Sequence, residues 1–179
     1  MANARSFRLS AILAASLVAL AACGPAAKPE PALTLAELKS ADLQTEYVSG
    51  GIVRLGNGEY REPAAPGAAS GTVVTLAGPV AYANLVSGQP AAAAIITTQS
   101  GGSGTFLDLV VIARRDGQPT QIAGTHLGDR VKVEAITFDR GIVTLTMVVH
   151  GPDDPLCCPT QRVTRRYEQR FDSLVALQS

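Results

Sequence analysis

The chain has 179 residues, with 15 basic and 15 acidic side chains, 4% aromatic residues, three cysteines and no tryptophan. A balanced charge gives no reason to expect nucleic acid or a strongly anionic surface as partner. Sparse aromatics weigh against a sugar-binding surface built on exposed aromatic platforms.

The N-terminus predicts the compartment. Arg5 and Arg8, with no acid nearby, form a positively charged start, and Leu9 to Ala22 follow as an apolar run. At about 14 residues this run has the length of a signal-peptide core and is too short to cross a bilayer of roughly 30 Å as a helix. Leu20-Ala21-Ala22-Cys23 resembles a bacterial lipobox. That resemblance implies a lipoprotein signal peptide over 1–22, removed on maturation, and an acylated Cys23 as the first mature residue. A membrane is then a partner through the lipid on Cys23, since two or three acyl chains anchor stably where one holds only marginally. Gly24, in place of a retaining aspartate, implies the periplasmic face of the outer membrane in a double-membraned organism, and otherwise the cell membrane. Removing residues 1–22 takes two arginines and leaves 13 basic against 15 acidic side chains.

Residues 23–33 form a tether in which Pro25, Pro29 and Pro31 favour an extended chain of about 3.1 Å per residue. Residues 34–179 suit a single domain with a core of its own. Thr34 and Glu37 have capping-box spacing ahead of Leu38 and Leu43, predicting a short helix over 34–44. The pattern thereafter is β. Residues 51–55 and 59–63 flank Gly56-Asn57-Gly58 as a hairpin, because asparagine and glycine tolerate positive φ. Residues 63–70 read as a loop. Residues 71–85 make one strand or two, broken near Gly78-Pro79.

Ala91 to Gln99 is ambiguous until its β-branched half, Ile95 to Thr98, and the following Gly101-Gly102-Ser103-Gly104 turn favour a strand. Residues 105–115 are almost continuously apolar and predict a central strand, turned at Asp116-Gly117. In 130–138, Val131 and Val133 alternate with Lys132 and Glu134, and the phase change near Ala135 predicts a bulge. Asp139-Arg140-Gly141 turns into 142–150, where Val143, Leu145, Met147 and Val149 share a face. A last pair, 161–171 and 173–177, meets at Asp172-Ser173. Short strands joined by tight turns predict a mainly β (α+β) domain: an antiparallel meander sheet or partly open barrel with one short N-terminal helix.

Three groups of residues bear on chemistry. With Cys23 acylated, the only intrachain disulfide available is Cys157–Cys158, and an oxidising envelope favours it. It closes too small a ring to restrain the unfolded chain much, so it serves as a rigid knuckle: a contact surface or, more simply, a shaped turn. A thiol-redox or metal-handling role is the alternative. A metal site would draw on His150, Asp153, Cys157 and Cys158, but neighbours on an extended strand point apart, and Cys-Cys lacks the spacing of a redox motif. Arg162, Arg165, Arg166 and Arg170 read as an exposed strand face balanced by Glu168 and Asp172. Asp108 interrupts an apolar strand. Ser70, Ser87 and Ser103 lack a nucleophile elbow, and His126 and His150 show no base–nucleophile spacing. No cofactor motif and no catalytic set emerge, so the function expected is a non-enzymatic binding or structural module with an unknown protein or small-molecule partner and no nucleic acid.

Taken together, Gly101-Gly102-Ser103-Gly104-Thr105-Phe106, Leu127-Gly128-Asp129-Arg130-Val131 and Gly151 to Thr160 (GPDDPLCCPT) resemble the landmarks of a bacterial extracytoplasmic domain without an assigned activity. Its members are often lipoproteins or secreted proteins. The resemblance covers most of the chain from about residue 43, and GPDDPLCCPT is its most specific part. Relatives often carry an acidic Asp-Leu-Asn-Gly-Asp-Gly stretch where this chain has Asn84 to Gln89. Without those carboxylates the resemblance implies no calcium site here.

Overall fold

The computed structural model describes residues 30–64, 66–67 and 70–178. The predicted signal peptide, Cys23 and the predicted tether up to residue 29 lie outside the described residues. One helical turn, α1 (Leu35–Leu38), precedes eleven strands: β1 (Asp42–Gln44), β2 (Ile52–Arg54), β3 (Glu59–Glu62), β4 (Thr72–Asn84), β5 (Pro90–Ser100), β6 (Phe106–Arg115), β7 (Gln118–Asp129), β8 (Lys132–Asp139), β9 (Ile142–Val149), β10 (Gln161–Arg170) and β11 (Ser173–Leu177). Nine of them form the path β3-β4-β5-β6-β7-β11-β10-β9-β8 of one curled, open sheet, and β1, paired with β2, attaches to β7 at Asp42 and Thr120. The mainly β class and the single short helix stand as expected.

The sheet is two antiparallel meanders, β3–β7 and β8–β11, joined where β11 runs parallel to β7 at Ser173 and Gly124. The curl brings β8 back against β4. Its concave side holds one core, with Ile95, Leu109, Val111, Leu145 and Met147 fully buried. A second core lies on the convex side, where α1, β1 and β2 cover the outer faces of β5 and β6: Leu38, Leu43 and Val53 pack on Ala92, Ala94, Val110 and Ile112. Both faces of β5 and β6 are therefore dry, which is why Ala91 to Ile96 and Leu109 to Ala113 are apolar without alternation.

Several expectations need correction. The helix over 34–44 is cut to one turn. Its capping box forms, with Thr34 Oγ1 accepting from Glu37 N and Glu37 Oε2 accepting from Thr34 N, but Asp42 to Gln44 pair with Ile52 to Arg54 instead of extending it. Asn57 takes a φ of 60°, as a turn at Gly56-Asn57-Gly58 requires, yet only Gly56 and Glu59 bridge it. The flanking strands then part, β2 to β1 and β3 to β4, so no hairpin ladder forms. Gly78-Pro79 is a bulge inside one 13-residue strand, not a break. The last turn is Phe171-Asp172, one residue earlier than expected.

No sequence pattern anticipates β7. Ile122 and Leu127 are extra residues opposite β6, so two register shifts erase the alternation that would mark the strand. The bulge expected near Ala135 is present, between the Val133 and Ala135 pairs of β8 with β9.

The convex layer is testable through Leu38, which is completely buried. Leu38→Ala should cost about 2–5 kcal/mol by urea unfolding, as for other fully buried leucines. A loss well below that range would show that α1 is not packed on the sheet.

Candidate functional site

The convex layer ends before it covers the sheet. Beyond Val110 the next outward positions of β6 are Asp108 and Phe106, and a groove of about 380 Å³ opens between β6–β7 and the Thr45–Gly51 loop. Its lining includes Glu46, Tyr47, Asp108, Gln121, Thr125 and His126. Asp108 and His126 face each other across the β6–β7 ladder, and His126 Nδ1 lies 2.9 Å from Asp108 Oδ1. Burial raises the Asp108 carboxyl above its ordinary value; the His126 hydrogen bond and charge oppose that rise, and Glu46 adds to it. The Tyr47 ring stacks on Phe106 at 4.9 Å and 10°. Burial raises the Tyr47 hydroxyl as well, with Asp108 and Glu46 in support.

Gln121 ties the end of β1, where this loop begins, to β7. Its Oε1 accepts from Gln44 N at 3.1 Å, and the residue is only 8% exposed. Among the described residues its Nε2 donates to no acceptor. That nitrogen sits over Gly124, where an added Cβ would lie 2.6 Å from it. Glycine at 124 thus makes room for the Gln121 amide. The groove lining carries two carboxylates, an imidazole, two side-chain amides, three hydroxyls and an aromatic face, with no lysine, arginine, serine or cysteine. Such a set holds a polar ligand by hydrogen bonds.

The three landmark segments converge at one end of the sheet. Thr105 N donates to Asp129 Oδ1 at 2.7 Å, and Arg130 N donates to Thr105 O at 2.7 Å. The Arg130 guanidinium reaches Ser103 O, the Asp129 carboxylate and Leu156 O. Asp154 closes the 151–160 loop: its Oδ2 accepts from Gly151 N at 2.8 Å and Thr160 N at 2.6 Å, and its Oδ1 from the Thr160 hydroxyl at 2.7 Å. The Gly151 amide first, then Thr160, hold the Asp154 carboxyl below its ordinary value. On this frame Cys157 and Cys158 form a vicinal disulfide, both exposed beside an 84% exposed Leu156.

The metal alternative is not assembled. Both cysteines are spent in the disulfide, Asp153 is exposed, His150 is half-buried at the end of β9, and no three His, Cys, Asp or Glu side chains converge among the described residues. Asp154 caps amides as expected of this turn; Asp153 makes no side-chain hydrogen bond among the described residues. Of the arginine cluster, Arg162 pairs with Glu134 and Arg170 with Glu168, while Arg165 and Arg166 are exposed. Ser103 contributes its carbonyl to the Arg130 clamp, and His126 finds the partner that its spacing from Asp108 concealed. No protein-family model, curated protein or solved structure matches this chain.

Two measurements follow. Between the ordinary carboxyl value of 3.8 and the raised one, folded Asp108 keeps a proton that the unfolded chain has lost, so stability falls as pH rises through that window. Asp108→Asn has no proton to lose, and its urea midpoint should gain on wild type from about pH 4 upward. A constant difference across that range would mean that the carboxyl is not held as described. Arg130→Ala should lower stability by about 1 kcal/mol and speed amide exchange in 103–105 and 156–160 together. Faster exchange in only one segment would show that the loops are not jointly clamped.

Proposed function

We propose that the protein is a lipid-anchored cell-envelope module that binds a small polar ligand or a partner's polar side chain in the Asp108–His126 groove, without turning it over. The observation that carries this reading is the Asp108–His126 pair, a partly buried carboxylate held 2.9 Å from an imidazole on the groove wall, with the Gln121 Nε2 in the same groove free of any acceptor among the described residues. A carboxylate with so much of its surface out of water gains from each further donor that reaches it. Asp108, fixed by His126, and the hydroxyls around it supply the complementary contacts. The acylated Cys23 would keep this groove in the envelope, at the periplasmic face of the outer membrane in a double-membraned organism. A second reading, thiol exchange at Cys157–Cys158, is favoured by one observation: the oxidised pair is exposed.

The test uses acylated protein crosslinked in intact envelopes and recovered under native conditions. Wild type should bring down a ligand or partner that is lost in Gln121→Leu and Asp108→Ala and kept in Cys157→Ser/Cys158→Ser. Loss in the cysteine variant alone would transfer the function to the disulfide loop. Cys23→Ala should leave an unacylated precursor; normal acylation there would refute the anchor.

A further inference from the structure

The end of the sheet opposite the landmark loops carries a second feature. Four strand-to-strand turns point that way, 85–89, Asp116-Gly117, Arg140-Gly141 and Phe171-Asp172, the last of them set back to the level of Gly124 in β7. Leu85 and Val86 share a shallow cavity with Arg140, Gly141, Glu168 and Gln169, and Gln169 donates from its backbone to Gly141 O and from its side chain to Phe171 O. The tips of this rim are Val86 and Phe171, 83% and 96% exposed.

Phe171 is unfavourable twice over. Its φ of 55° puts a bulky aromatic residue where glycine, asparagine or aspartate is usual in a two-residue turn, and its ring is left in water. Neither cost is offset by a contact within the described residues, and a strained, exposed position of this kind points outward to a contact.

The N-terminal segment leaves from this same end. Arg114, the penultimate residue of β6, binds Glu30 and Glu37 and donates to Pro31 O at 2.7 Å and Ala32 O at 3.2 Å, while its own carbonyl accepts from Gln89 of the Val86 turn. Only residues 24–29 lie between Glu30 and Cys23. Fully extended, that length of chain reaches about 25 Å, less than the length of β6. A lipid on Cys23 therefore keeps this rim, and not the Cys157–Cys158 end, next to the bilayer.

Resting on the lipid-anchor reading, we infer that the rim is a membrane-docking face, with Phe171 and Val86 entering the interface of the bilayer that holds the Cys23 acyl chains. Of the charges around the tips, Arg140 pairs with Asp139 and Arg170 with Glu168, and the exposed Asp172 beside Phe171 adds a negative charge, so the rim offers anionic lipid no net positive surface. Docking is thus by apolar contact, needs no anionic lipid and is insensitive to salt.

The chain has no tryptophan, so single tryptophans report without background. Acylated Phe171→Trp, Val86→Trp and Leu156→Trp are placed in phosphatidylcholine vesicles carrying brominated acyl chains, and the mass of the peptide bearing Cys23 is checked on the same preparation. The expected result is a blue-shifted emission from Phe171→Trp and Val86→Trp, quenched several-fold more strongly than that of Leu156→Trp and unchanged in molar salt. Acylated Phe171→Trp with unquenched emission overturns the inference alone. A blue shift that grows with protein concentration and is not quenched assigns the tip to a second copy and overturns it too. Absence of acylation removes this inference together with the anchor beneath it.

Discussion

The structure depends on β5 and β6 being dry on both faces. A sheet of this size ordinarily buries one face and wets the other, and its strands then alternate. Here the concave side is closed by the curl and the convex side by α1, β1 and β2, so a chain of modest length builds two cores on one pair of strands. Alanine at 91–94 suits this arrangement: small side chains let layers approach from both directions without overfilling either core. The outer layer is thin, one helical turn and two three-residue strands, and could not stand without the sheet beneath it.

That economy locates the polar chemistry. Where the outer layer stops, β6 still points residues outward, and the chain places Asp108 and Phe106 there instead of another valine. The Thr45–Gly51 loop covers them only in part, and Gln121 fixes where that loop begins by accepting from Gln44 N at the end of β1. The groove is thus the seam between a packed layer and an unpacked one. Its carboxylate is poorly solvated, its amide has a donor to spare, and its tyrosine lies flat on the neighbouring phenylalanine. These follow from one placement.

Much of the sheet is legible in the sequence, in proportion to how local its causes are. Alternation in 142–150, the positive-φ turns at Asp116-Gly117 and Arg140-Gly141, and the phase change at Ala135 each need only a few neighbouring residues, and each appears. What fails is competition over distance. Asp42 to Gln44 leave a helical pattern because Ile52 to Arg54 offer a ladder, and the turn at Asn57 is real although its strands choose other partners. In β7, Pro119, Gly124 and Gly128 together with two bulges remove the period on which a strand is recognised. The candidate site fares likewise. Asp108 stands out as an acid in an apolar run, but its pairing with His126 depends on a register that those same bulges set.

The landmark loops show how little the disulfide has to do with holding the fold. A bond between neighbours removes almost none of the unfolded chain's freedom, and the loop that carries it is already closed by Asp154 and tied through Leu156 O to Arg130. Arg130 in turn fixes the Ser103 turn, so three distant segments share one side chain. The oxidised pair is then best understood by its surface. It converts two polar thiols into an uncharged sulfur ridge and sets that ridge beside Leu156, on a base too rigid to fold it away. Leu156, Cys157 and Cys158 thus stay exposed at the end of β6 opposite the Arg114 clamp, on a loop whose shape Asp154 and Arg130 hold, in keeping with a shaped turn.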